Sequence, residues 1–169
     1  DYLRLVAGLC NVQQRLMDAP PAAAMPDPQR IRLCLDHGLP PFAADSLVRE
    51  DAWLAYLRAL LQHYQPPAQP AVENAVATLR DANAGQLKAW AIALVSGQFA
   101  LLPASLVPFL GAALQVAWSH WLLSTPDLAL KPGNSLNQCP ACGSPAMAGV
   151  IRHRGKYNGL RYLVCSLCA

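Results

Sequence analysis

Through the first 132 residues, apolar positions recur at the spacing of one helix face, and prolines break the pattern into segments. Leu5, Leu9, Val12 and Leu16 fall at i, i+4, i+7 and i+11. Trp53, Leu57, Leu60, Leu61 and Tyr64 repeat the motif behind Asp45 or Ser46 as a cap, with Glu50 and Asp51 near the positive helix start. Val72, Val76 and Leu79 mark a further segment, and Leu87, Trp90 and Leu94 another. The pairs Pro20-Pro21, Pro40-Pro41 and Pro66-Pro67, with Pro70, Pro103, Pro126 and Pro132, separate these runs, since proline stops a helix. The pattern predicts a mainly α protein, a bundle of five or six helices over residues 1–132. Its core is expected to need nothing from the rest of the chain.

Between Lys88 and Asp127 there is no formal charge. Gln98, Pro103, Ser105, Pro108, Gln115, Ser119 and His120 interrupt that stretch, so it reads as a buried helix and not as a membrane span.

Beyond Pro132 the periodicity changes. "MAGVIRHR" and "GLRYLV" are strand-like, and Asn158-Gly159 between them signals a hairpin. On either side stands a Cys-x-x-Cys pair, "CPAC" from Cys139 and "CSLC" from Cys165. Such a turn aims two thiolates at one point, and a hairpin that carries the second pair back beside the first completes a tetrahedron. Residues 133–169 are therefore expected to form a zinc-ribbon or rubredoxin-like lobe in which Cys139, Cys142, Cys165 and Cys168 hold one ion. Four thiolates suit Zn or Fe, and the spacing does not choose between them. A dithiol redox pair fits less well, because Gly143, Ser144 and Pro145 follow where a helix is needed. Two disulfides fit less well too, since no secretory signal is present and the helical part has a sufficient core.

Composition sharpens this division. Apolar residues make up 54% of the 169-residue chain and charged residues 14%, which describes a globular protein with a generous interior. Residues 1–127 carry eight Lys/Arg against all ten acids, whereas residues 128–169 carry Lys131, Arg152, Arg154, Lys156 and Arg161 and no acid. With Tyr157 and Tyr162 among them, Arg152, Arg154, Lys156 and Arg161 form a face suited to a protein partner or, as the alternative, to the phosphates and bases of a nucleic acid. The helical part shows no glycine-rich phosphate loop, nucleophile elbow or His-Glu-x-x-His, and His37, His63 and His120 stand apart in sequence. No enzymatic constellation is expected. Cys10 and Cys34 read as small apolar residues.

"CPACGSPAMAGVIRHRGKYNGLRYLVCSLCA" resembles the first cysteine block of the FdhE family, the formate dehydrogenase accessory proteins. "DYLRLVAGLCNVQQ" is similar to that family's early helix and "GLPP" to its short connection. The resemblance implies a cytoplasmic, non-enzymatic factor that matures respiratory formate dehydrogenases, with a metal-binding lobe that contacts the catalytic subunit. In that setting Arg152, Arg154, Tyr157 and Arg161 are the candidate client-binding residues, and nucleic acid is the less expected partner. Family members continue past the second cysteine pair with further Cys-x-x-Cys pairs, so the chain is expected to be truncated or shortened before a second lobe.

Overall fold

In the computed structural model, residues 2–66, 68–125, 128, 130, 137–153, 155 and 158–168 are described. Among them are seven α-helices followed by two strands: α1 (Tyr2–Asp18), α2 (Pro28–Asp36), α3 (Ala44–Leu47), α4 (Leu54–His63), α5 (Pro70–Asp81), α6 (Ala84–Val95), α7 (Val107–Leu123), β1 (Ala146–Ile151) and β2 (Arg161–Cys165). Two single 3-10 turns, Phe99–Leu101 and Ala104–Leu106, lead from α6 into α7. The mainly α expectation holds, with more helices than the periodicity suggested.

The excess comes from short helices. Asp45 and Ser46 do not cap the Trp53 segment; they lie inside α3, a separate turn, and the N-cap position of α4 is Trp53 itself. Trp53 is fully buried and donates its indole N–H to the Val48 carbonyl at 3.0 Å, so the link between α3 and α4 is closed by a side chain. Glu50 and Asp51 are occupied elsewhere, in ion pairs with Arg30 and Lys88. Where caps do form they follow local rules. Asp27 accepts from the Gln29 amide ahead of Pro28, and Asn83 accepts from the Gln86 amide.

The centre of the molecule is the packing of α1, α4 and α7 on one another. From α1 come Leu9, Val12 and Leu16, from α4 Tyr56, Leu57, Leu60 and Leu61. α7 supplies nine buried residues, including Phe109, Leu110, Trp118 and Trp121. Trp118 and Trp121 pack at a tilt of 51° with centroids 4.8 Å apart, and Tyr56 meets Trp121 edge-on. Gly8 permits the close approach of α1, because a Cβ there would lie 3.0 Å from the Tyr64 ring. α5 packs on α4 and the Ala104–Leu106 turn, and α6 on α7 and α3. In α6 the smaller Ala91 and Ala93 are buried, whereas Trp90 and Leu94 are only half-buried, because the helix is apolar nearly all round.

The stretch Ala104–Leu123 is long and apolar enough to cross a membrane by length and composition. More than half of it is buried inside the protein, which is the pattern of a core helix. His120 has partners after all. The Tyr56 hydroxyl and its Nδ1 lie 2.6 Å apart, and its Nε2 is 3.2 Å from Ser124 Oγ. Cys10 and Cys34 are free thiols.

The strands pair antiparallel, with a bulge between Ala146 and Ala148. The hairpin is not the two-residue Asn-Gly turn the sequence suggested. β1 ends at Ile151 and β2 begins at Arg161, Asn158 has no positive φ, and Gly159 (φ 82°) sits near the start of β2. Arg152 closes the loop, donating its amide to the Leu160 carbonyl and accepting from the Gly159 amide. Six large apolar side chains of the hairpin, Met147, Val150, Ile151, Leu160, Tyr162 and Leu163, are exposed.

The two parts share a buried surface. Cys142 and Leu167 belong to the same buried cluster as the α1, α4 and α7 residues. α7 is apolar on more faces than α1 and α4 cover, which leaves a face for the tail to pack on.

Because Trp53 fills the centre and closes the α3–α4 link, Trp53→Ala is expected to lower the unfolding free energy by about 3–5 kcal/mol, read from urea unfolding followed by far-ultraviolet circular dichroism.

Candidate metal centre

Each cysteine pair sits on a tight turn whose backbone is hydrogen-bonded before any ion is considered. In the first, Gly143 N–H donates to the Cys139 carbonyl at 2.8 Å and Cys139 N–H to the Ser144 carbonyl at 2.9 Å. Gly143 adopts φ +74°, the left-handed region that a side chain disfavours, so the chain turns back immediately after Cys142. In the second, the amides of Leu167 and Cys168 point at the Cys165 sulfur, at 3.3 and 3.5 Å. Amides directed at sulfur stabilise thiolate and orient the ligand. The Ser166 amide donates to the Pro145 carbonyl, which ties the second turn to the first.

β1 leaves the first turn and β2 returns to the second, so the hairpin brings the two pairs together. The sulfurs of Cys139, Cys142, Cys165 and Cys168 all lie within 4.8 Å of one another. Four of the separations are 3.5 Å (139–168), 3.4 Å (142–165), 3.6 Å (142–168) and 3.8 Å (165–168). A tetrahedron of thiolates around an ion at the usual zinc–sulfur distance has edges of about 3.8 Å. A disulfide needs about 2.05 Å, and all four cysteines are free thiols. The donor set and its spacing thus fit one tetrahedral Zn or Fe ion.

Burial and charge agree with that fit. Cys142 is buried and the other three are half-buried. The hydrogen bond with Cys142, ahead of that with Cys168, holds the Cys139 thiol below its ordinary value, at about 6. Cys165 is pulled down by hydrogen bonds from Cys139, Cys142 and Cys168, while Cys142 and Cys168 are pushed up, first by Cys139. Four thiols this close disfavour ionising together, and an ion held there would displace their remaining protons. A small pocket of about 100 Å³, lined by Asn137, Pro140 and Leu163 among others, reaches Cys139 and Cys165. Beside it a larger groove of about 610 Å³ runs between α6, α7 and the two turns, lined by Leu94, Phe99, Leu114, Pro145 and Leu167.

The cluster is docked on the helices through backbone groups. Phe42 N–H donates to the Ala141 carbonyl and Ala44 N–H to the Cys142 carbonyl, both at 2.9 Å. Trp118 Nε1 donates to the Phe42 carbonyl at 2.9 Å, and Gln115 Nε2 to the Ser166 carbonyl at 3.2 Å. None of these partners was visible in the sequence. Gln115 registered there only as a polar break in an apolar run, and Phe42 follows a Pro-Pro pair with no periodic pattern.

The basic candidates divide. Arg152 and Arg161 are exposed at the distal end of the hairpin, where Arg161 pairs with Ile151 and the Arg152 guanidinium lies 5.2 Å over the Tyr162 ring. Arg154 and Tyr157 lie outside the described residues. His153 is exposed.

Comparison with known proteins agrees with this architecture. Residues 1–134 match the family model described as FdhE, N-terminal, and residues 138–169 match that described as FdhE, central domain. A protein named Protein FdhE homolog from Pseudomonas aeruginosa is 64% identical over 169 residues, covering all of this chain and 55% of that protein. The homologue from Pseudomonas putida is 60% identical, covering all of this chain and 53% of its own length. The crystal structure of the FdhE protein from Pseudomonas aeruginosa superposes with a TM-score of 0.92 at 63% identity, over all of this chain and 58% of that one. The chain thus spans about half the length of the curated relatives it matches. With both family models matched in order along nearly its whole length, the chain belongs to the FdhE family.

Proposed function

We propose that this chain is part of a cytoplasmic, non-enzymatic accessory factor for the maturation of respiratory formate dehydrogenase. In this reading residues 1–132 form a helical domain and residues 133–169 a metal-binding lobe. Cys139, Cys142, Cys165 and Cys168 hold one Zn or Fe ion, and the lobe presents Arg152, Arg154, Tyr157 and Arg161 to the catalytic subunit.

The observation that carries it is the convergence of four sulfurs within 4.8 Å on a hairpin that is anchored at one end and bare at the other. A lobe of about thirty residues buries too little apolar surface to stand alone, so a bound ion supplies the cross-link that fixes both turns. The chain's own residues do the rest. The turns orient the sulfurs, and the hairpin holds exposed apolar side chains beside Arg152 and Arg161. Apolar patches rimmed by charge are typical of protein contact surfaces. Membership of the FdhE family supports formate dehydrogenase as the client.

Elemental analysis of the chain purified under reducing, anaerobic conditions is expected to find about one Zn or Fe per chain, and only trace metal after Cys139→Ser with Cys142→Ser. Neither metal above trace in the unsubstituted chain would defeat the reading of the site.

The client contact is best measured in a full-length relative. Replacing the residues equivalent to Arg152 and Arg161 by Glu is expected to weaken capture of the catalytic subunit by about tenfold while leaving metal content unchanged. Unaltered capture would remove the hairpin from the contact. Retention of random DNA with a steep salt dependence, in place of the subunit, would favour a nucleic-acid partner instead.

A further inference from the structure

Gln115 and Trp118 stand three residues apart on α7 and so share a face of it. Each directs a hydrogen bond towards a different half of the cysteine cluster. Gln115 Nε2 donates to the carbonyl of Ser166, inside the second turn, at 3.2 Å. Its Oε1 accepts from Gln13 Nε2 of α1 at 3.1 Å, and the same Gln13 nitrogen lies 3.1 Å from the Ala112 carbonyl. Gln13 therefore fixes which end of the Gln115 amide faces the turn. Trp118 reaches the first turn through one intermediary. Its Nε1 donates to the Phe42 carbonyl, Phe42 N–H donates to Ala141, and Ala44 N–H donates to Cys142.

The hairpin is poorly suited to hold the two turns at a fixed separation by itself. It has two strands, β1 is exposed along its whole length, and such a ribbon is marginal in water. Among the described residues of the lobe, those that are buried are Ala141, Cys142 and Leu167, one or two from each turn, and Cys142 and Leu167 pack into the core that α7 dominates. The turns are thus gauged against a rigid helix, one through Gln115 and the other through Trp118 and the Phe42–Ala44 segment.

We infer that Gln115 and Trp118, with Gln13 behind Gln115, are positioning residues of the metal centre. The helical domain sets the spacing of the two turns and with it the affinity of the site. This rests on the reading that the four cysteines hold an ion. Hydrogen-bonded partners outside a ligand set typically govern metal affinity by about 10- to 100-fold, and these act on the ligand turns through their carbonyl groups.

The test is the Zn²⁺ affinity of the whole 169-residue chain, measured by competition with a chromophoric chelator, together with the ligand-field absorption of the Co²⁺-loaded protein. Gln115→Met keeps the side chain's length and removes its donor. It is expected to bind Zn²⁺ about 10- to 100-fold more weakly and to alter the Co²⁺ spectrum, with far-ultraviolet dichroism retained. Trp118→Phe should shift both readouts in the same direction. Gln13→Met leaves α7 untouched and guards against misfolding of the α7 variants; it should give a smaller loss of affinity. Val76→Ala lies on α5, which packs on α4 and the Ala104–Leu106 turn, and it should lower stability without changing affinity or spectrum. Wild-type affinity and spectrum in both Gln115→Met and Trp118→Phe would overturn the inference alone. Failure of the unsubstituted chain to take up any ion would overturn the metal reading and the inference with it.

Discussion

The indole N–H of Trp118 is the point on which the two parts of this molecule depend. Trp118 is completely buried, and a buried donor left unpaired is costly, so the Phe42 carbonyl must stay where it is. Phe42 is itself buried, and its amide and that of Ala44 are the groups that receive the first cysteine turn. A requirement of the helical core is in this way passed, through three hydrogen bonds of 2.9 Å, to the backbone between two metal-ligand candidates. Neither Phe42 nor Ala44 contributes a functional group of its own. What they contribute is main chain held in place by the packing of α7.

That arrangement makes the energetics of the two parts unequal but linked. The helical part has a core centred on α1, α4 and α7, while the lobe buries Cys142 and Leu167 in it, packs Cys139, Cys165 and Cys168 against it, and leaves most of its hairpin exposed. Free energy from closing a four-thiolate site is realised as order in the two turns. Because the turns are bonded to Phe42, Ala44 and Gln115, part of that order is shared with the face of α7 they cover. The converse also holds, since a helix face already in place lowers the entropy cost of bringing the four sulfurs together.

Local pattern revealed what is encoded locally. Leu9, Val12 and Leu16 are buried as their spacing required, and the two Cys-x-x-Cys pairs converge as their doubling and the intervening strands required. Periodicity says which face of a helix is apolar but not what covers it. For α7, apolar nearly all round, that left the docking of the tail invisible. The contacts that decide it join residues 76 positions apart for Trp118 and Phe42, and 102 apart for Gln13 and Gln115. The division between α3 and α4 was hidden for a different reason. Trp53 has the right spacing for the α4 stripe yet stands at the helix boundary, where its indole bonds Val48. The Asn158-Gly159 pair misled because Arg152 bonds across to Gly159 and Leu160, which sets the pair beside β2 and not at the centre of the tight turn it usually makes.

The hairpin's geometry bears on how surface and site communicate. β2 runs from Arg161 to Cys165, so the strand that carries exposed Tyr162 and Leu163 ends on a cysteine of the cluster. At about 3.3 Å per residue, Leu163 stands roughly 7 Å along the strand from Cys165. On β1 the corresponding path is interrupted, because the bulge at Ala146–Ala148 breaks the register just where the strand leaves the first turn. The exposed apolar residues of the hairpin are thus joined to the second turn by a continuous strand and to the first by a broken one. The second turn is also the one that Gln115 holds directly, without an intermediary. The first turn is held through more bonds, from the Phe42 and Ala44 amides, but α7 reaches it only by way of the Phe42 carbonyl.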